Sequence, residues 1–150
     1  MKGSLINTKS YQLKQIFALL LVCMVFLSCN KDKEGRIPEV PVNFRAPLND
    51  PRLARLNSSG GVVVITGHGV AGLIIYRRPD NAYVAFDRCS SVNPEQNCAV
   101  TPDDTGLTAT DPCSGAKFSL YDGTPVKAPA KRPLKQYQVG VSPYEISVIN

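Results

Sequence analysis

Past residue 29 the apolar positions fall into short runs, not into a helical stripe. Residues 62–65, 73–76 and 83–86 are β-branched or aromatic, and each run is bounded by Gly, Pro, Asn or Asp, the punctuation of short strands. Near the end Tyr137, Val139 and Val141 share one face of an alternating segment. Tyr144, Ile146 and Val148 repeat that period after Ser142-Pro143, which predicts a C-terminal hairpin. No stretch beyond residue 29 keeps helical spacing over three turns, and there is no internal repeat. The pattern predicts an all-β, antiparallel sandwich or barrel.

The first segment has a different character. Lys2, Lys9 and Lys14 precede an uncharged apolar run over residues 16–27, which ends at Ser28-Cys29 and gives way to Asn30, Lys31, Asp32, Lys33 and Glu34. The run is shorter than the roughly 20 apolar residues a spanning helix needs, so a processed export signal is expected over residues 1–28. Phe26-Leu27-Ser28-Cys29 resembles the lipobox of bacterial lipoproteins, with Cys29 as the thiol that takes the lipid; Cys23 is a poorer acceptor because Val22 precedes it. Residues 29–37 then read as a lipid-anchored tether, and Pro38, Pro41 and Pro47 mark the passage into an extended first strand of a domain over 38–150. The expected location is the bacterial cell envelope, on a membrane and facing the periplasm or the exterior.

Charge narrows the partners. The whole chain carries +5, but three of its 17 basic residues and none of its 12 acidic ones lie in residues 1–28, so the remainder is close to balance. No basic run with interleaved aromatics is left, and nucleic acid is not an expected partner. The 122 residues that follow the signal suffice for one domain with a core of its own.

One motif points elsewhere. Gly67-His68-Gly69-Val70-Ala71-Gly72 is a G-x-G-x-x-G after an apolar run. Dinucleotide binding needs a helix directly after the glycines, so that its N–H groups meet the pyrophosphate. The segment that follows is β-branched and stops at Pro79 after about six residues, whereas a crossover helix needs roughly ten or more. The glycines are expected to form a strand-connecting turn, with His68, the chain's single histidine, exposed in it. A hydrolase triad lacks a nucleophile elbow, and a structural zinc site lacks a closely spaced cysteine pair.

The second half carries a family pattern. Tyr83-Val-Ala-Phe-Asp-Arg-Cys89, Asp111-Pro-Cys-Ser-Gly-Ala-Lys-Phe118, Asp122-Gly123, Pro125-Val126, Pro129-Ala130 and Pro133-Leu134 follow one another in the order and spacing of the Rieske iron–sulfur domain. The chain resembles that family over roughly residues 60–141, which implies a Rieske-like β-sandwich or barrel with two cluster-binding loops. In the family the first loop holds Cys-x-His and the second Cys-x-Cys-His. Carried over, the ligand positions fall on Cys89, Ser91, Asp111 and Ser114, so one of the four is retained.

A Rieske [2Fe–2S] cluster takes two thiolates and two imidazoles, which hydroxyls do not replace. The resemblance therefore implies a degenerate domain without a cofactor. Cys113 falls on the family's structural cysteine, which implies a disulfide to the first loop. Cys98 is the preferred partner and Cys89 is left open as the other. The expected function is a non-enzymatic binding or structural role in the envelope, with an unidentified envelope protein as partner. The alternative is a Rieske-type electron-transfer or thiol-redox protein acting through a [2Fe–2S] cluster or Cys89.

Overall fold

The computed structural model describes residues 36–150. The export signal, Cys29 and most of the tether lie outside the described residues. Among the described residues ten strands form two antiparallel sheets. The larger has six: β1 (Asn43–Pro47), β2 (Val62–Ile65), β3 (Leu73–Arg77), β4 (Tyr83–Asp87), β9 (Gln136–Val141) and β10 (Glu145–Ile149), in the order β1-β10-β9-β4-β3-β2. The smaller is a meander of short strands, β5 (Thr101–Pro102), β6 (Thr108–Thr110), β7 (Lys117–Ser119) and β8 (Pro125–Lys127). The all-β architecture expected from the run lengths is what forms.

The predicted strands sit where the apolar runs placed them. β3 is a continuous apolar run and not an alternating one because both of its faces are covered. Leu73 and Ile75 join one core with Phe44, Val63, Ile65, Ala85, Tyr137, Ile146 and Val148. Ile74 and Tyr76 join a second core with Phe86, Val100, Phe118 and Leu120, shared between this sheet and the meander with its flanking segments. The sheet is thus curled, with its β1-β10-β9 half folding over one face and the meander lying on the other.

The C-terminal hairpin forms with Ile146 opposite Val141 and Val148 opposite Val139. Tyr144 departs from the expected alternation: it lies in the connecting turn and is 82% exposed, while Val141 is also exposed. β1 closes the sheet by pairing with β10, Asn43 opposite Ile149 and Pro47 opposite Glu145. Two short 3₁₀ helices, Pro51–Asn57 and Pro94–Gln96, escaped the periodicity argument because neither keeps a 3.6-residue repeat long enough to be seen. The first starts from Asp50, whose carboxylate accepts the Arg52 N–H at 2.8 Å, and buries Leu53 and Leu56 beneath β2.

Gly123 illustrates how tightly the two sheets meet. It lies at φ +78°, and a Cβ there would stand 2.7 Å from Phe86 Cε1. Its amide and carbonyl are held by Ser119 O and by Leu134 N. Gly123→Ala is expected to lower stability by at least about 2 kcal/mol, combining overpacking with the left-handed penalty, measured as a shifted denaturant midpoint at unchanged slope.

Candidate functional site

Two loops converge at one end of the meander. The first runs from β4 to β5. At its base Arg88 O accepts from Val100 N at 2.7 Å, Cys89 forms an isolated bridge with Ala99, and Ser90 N donates to Cys98 O at 2.8 Å. Asn93 and Asn97 take left-handed conformations on either side of the short helix Pro94–Gln96, which turns the chain back on itself. The second loop is the β6–β7 turn, closed by Ala116 O accepting from Asp111 N and by Gly115 N donating to Asp111 O.

The disulfide joins Cys98 of the first loop to Cys113 of the second, the preferred pairing, with the Cα atoms 6.2 Å apart. Closing this 15-residue separation contributes about 3 kcal/mol in the chain-entropy model. Cys89 is the free thiol among the described residues and is fully buried. Its Sγ lies 3.6 Å from Pro94 O and 3.7 Å from Ser90 O. Burial, followed by the charges of Asp87, Asp111 and Glu95, pushes the thiol up to about 11, well above the range of a reactive cysteine.

Asp111 is the hub between the loops. The residue is fully buried, and its Oδ2 accepts from Ser90 Oγ at 2.7 Å and from Ser114 Oγ at 2.6 Å, while Oδ1 accepts from Cys113 N at 2.8 Å. Burial pushes its pKa up, but the bonds from Ser114, Ser90 and Cys113 outweigh it and hold the group below the ordinary carboxylate range. Ser91 turns away from this hub and donates to Arg132 O at 2.7 Å, tying the first loop to the segment before β9. Of the four positions matched to cluster ligands, Asp111 and Ser114 bond directly, whereas Cys89 and Ser91 are committed elsewhere. Ser90, which sequence reasoning passed over, supplies the link between loops; a serine in a loop carries no signal of its own.

A second buried carboxylate supports the first loop from below. Asp87 accepts from Val70 N at 2.6 Å, Ala71 N at 3.2 Å, Cys89 N at 2.7 Å and Tyr137 Oη at 2.7 Å. Burial, and then the bond to Asp87, raises the Tyr137 hydroxyl above its ordinary range, so it remains a donor. The G-x-G-x-x-G segment is therefore a turn, as expected, with Gly67, Gly69 and Gly72 all at positive φ. Its backbone N–H groups do hold a carboxyl group, and it is the protein's own Asp87. A Cβ on Gly69 would collide with Asp87 Oδ2. His68 departs from expectation: it is half-buried, with its ring edge-on to Phe44 at 5.3 Å between centroids.

No family model matches the chain, and no curated protein does. Solved structures do match it. The plasma-membrane Rieske protein PetC3 of the cyanobacterium Synechocystis PCC 6803 is 22% identical over 73% of this chain and 98% of its own, with a TM-score of 0.50. The ferredoxin of carbazole 1,9a-dioxygenase from Nocardioides aromaticivorans IC177 aligns at 20% identity over 73% of this chain and 97% of its own, with a TM-score of 0.45. A ferredoxin of Sphingomonas yanoikuyae B1 aligns at 20% identity over 64% and 93%, with a TM-score of 0.46. The chain has the Rieske-like fold: a curled antiparallel sheet carrying a small meander, with two loops joined by a disulfide.

The donors at the four positions do not match those of a Rieske cluster, which needs two thiolates and two neutral imidazoles. One thiol, one carboxylate and two hydroxyls stand there, and the carboxylate and hydroxyls are already paired within the protein. The single histidine lies in the β2–β3 turn against Phe44.

Asp111 and Asp103 set the expected acid behaviour. Asp103 is opposed by burial but brought down to about 2 by Lys117, Thr108 and Thr110. Both folded pKa values lie below the unfolded one near 3.9, so their contribution is complete above about pH 4 and is lost as pH falls through the folded values. Denaturant titrations between pH 5 and pH 2 are expected to show stability falling with acid. In Asp111→Asn that fall is expected to be shallower from a lower starting stability.

Proposed function

We propose that the protein is an exported, lipid-anchored Rieske-like domain that works without an iron–sulfur cluster, as a binding or structural module of the cell envelope. The observation that carries this reading is the Asp111 hub. In a Rieske domain the cluster ties the two loops together. Here the tie is made by Asp111 accepting from Ser90 and Ser114, beside the Cys98–Cys113 disulfide. Hydroxyl donors bonded to a buried carboxylate satisfy every group involved, so nothing at this end is left asking for a metal.

The disulfide also supports export, since such bonds persist in oxidising compartments. Residues 1–29 supply the route: a basic start, a short apolar run and Cys29 after Ser28. Loops held on a rigid sheet are where binding function concentrates, and Asn93, Glu95, Gln96 and Asn97 are exposed along the first of them. An envelope protein is the partner proposed for that surface.

Iron analysis and a visible spectrum of the full-length protein, purified anaerobically after export, test the cofactor reading. No iron and no charge-transfer band are expected; two irons per chain with such a band would overturn it. The anchor is tested separately by metabolic labelling with a radioactive fatty acid. The wild-type chain is expected to take up label and partition into detergent, and Cys29→Ser to do neither; equal labelling of Cys29→Ser would sink the assignment.

A further inference from the structure

The positive side chains of the described residues are unevenly partnered. Arg45, Arg52, Arg78, Lys117 and Lys135 lie in ion pairs, while Arg77 and Arg88 donate to backbone carbonyls. The cations left without an ion pair or a carbonyl among the described residues are Arg36, Arg55, Lys127, Lys131 and Arg132.

All of these except Arg55 belong to one end of the domain. Lys135 donates to Pro38 O at 3.2 Å and to Glu39 Oε2 at 2.7 Å, which ties the entering chain, with Arg36 just before it, to the segment that leads into β9. That segment also meets the first loop, where Ser91 Oγ donates to Arg132 O. Lys127 ends β8 opposite Lys117, which follows closely on Gly115 of the second loop. Arg36, Lys127 and Lys131 are exposed and Arg132 is half-buried. Between Asp122 and Glu145 the sequence holds no acid, and the cations are interspersed with exposed Val126, Ala128, Pro129 and Pro133. The acids that border this face are Glu39, taken up by Lys135, Glu95 on the first loop, and Asp122, which accepts from Thr124.

We infer that this basic face is the surface the domain lays on anionic lipid headgroups. The inference rests on the lipid anchor at Cys29. Seven peptide bonds link Cys29 to Arg36, so the lipid-bearing residue stands within about 25 Å of Arg36 by whatever path the chain takes. The point of entry is thus the part of the domain kept nearest the bilayer, and it is where the unpartnered cations gather. Basic groups are drawn to an anionic surface over about 8 Å, the Debye length at physiological salt, so a face already brought close is the one that responds. A protein partner would have to be recruited to this face, whereas the chain itself holds the bilayer beside it at high effective concentration. The lipid supplies the attachment, and the cations have only to set the orientation.

Spin labelling of the full-length, lipidated protein tests this in vesicles of phosphatidylcholine alone and of an equal mixture of phosphatidylcholine and phosphatidylglycerol. A nitroxide on Ala128→Cys reports the basic face, and one on Tyr144→Cys reports the hairpin turn beyond the far end of β9. Exposure to a neutral, water-soluble nickel chelate is read for each. On the anionic vesicles the label at 128 is expected to be at least about threefold less exposed than on the neutral ones, and the label at 144 unchanged. Salt near 1 M, where the Debye length is about 3 Å, is expected to abolish the difference. Adding Lys127→Glu and Lys131→Glu together is expected to do the same; if that variant does not fold, the salt series decides.

Equal exposure at 128 on both kinds of vesicle, with the protein floating on each, overturns the inference and leaves the anchor standing. Protein that floats with neither sinks the anchor and the inference with it. Protection in native envelope membranes but not on the anionic vesicles gives the face to a protein partner and also overturns the inference.

Discussion

Asp87 is the constraint around which the sheet is organised. A buried carboxylate has to be satisfied by neighbours, and here they are two amides of the glycine turn, the amide of Cys89 and the hydroxyl of Tyr137. These donors come from the β2–β3 connection, the first loop and β9. One side chain therefore fixes the turn that precedes β3, the start of the loop that follows β4, and the seam where β9 meets β4. The need for Gly69 follows from the same contact, since no side chain fits between that turn and the carboxylate.

Above this anchor the two loops are held by bonds that differ in kind. The disulfide is covalent and acts mainly by limiting the unfolded chain, whereas the Asp111 hub acts in the native state through three donors on one carboxylate. Both bridge the same gap. Their joint effect is a loop surface whose conformation is held from both sides, by a covalent link and by a buried carboxylate. The same two carboxylates that hold the loops also lie near Cys89 and, after burial itself, keep its thiol in the protonated form.

Much of the fold was legible because its signals are local. Short β-branched runs, Gly and Asn punctuation and the alternation near the C-terminus placed β2, β3, β4, β9 and β10. What escaped were the strands of two or three residues in the meander and the 3₁₀ helices, which are too short to show a period. The Cys98–Cys113 bond followed from the family pattern, while the positions matched to ligands gave residue identities and no geometry. That Ser91 turns toward Arg132, that Ser90 reaches Asp111 and that His68 packs on Phe44 are outcomes of tertiary contact. The G-x-G-x-x-G segment was correctly taken as a turn, but its internal partner could not be seen, because Asp87 lies 17 residues from Val70 along the chain.

The pairing of β1 with β10 brings together the two ends of the described chain, residue 43 beside residue 149, and Asn150 adds its side chain to Val42 N and Val40 O. Contacts of such sequence separation form late, since the intervening chain must be ordered before they repay its closure. Until residues 145–149 are in place β1 has no neighbour in the sheet, so the strand laid down first among the described residues is the one whose pairing waits longest.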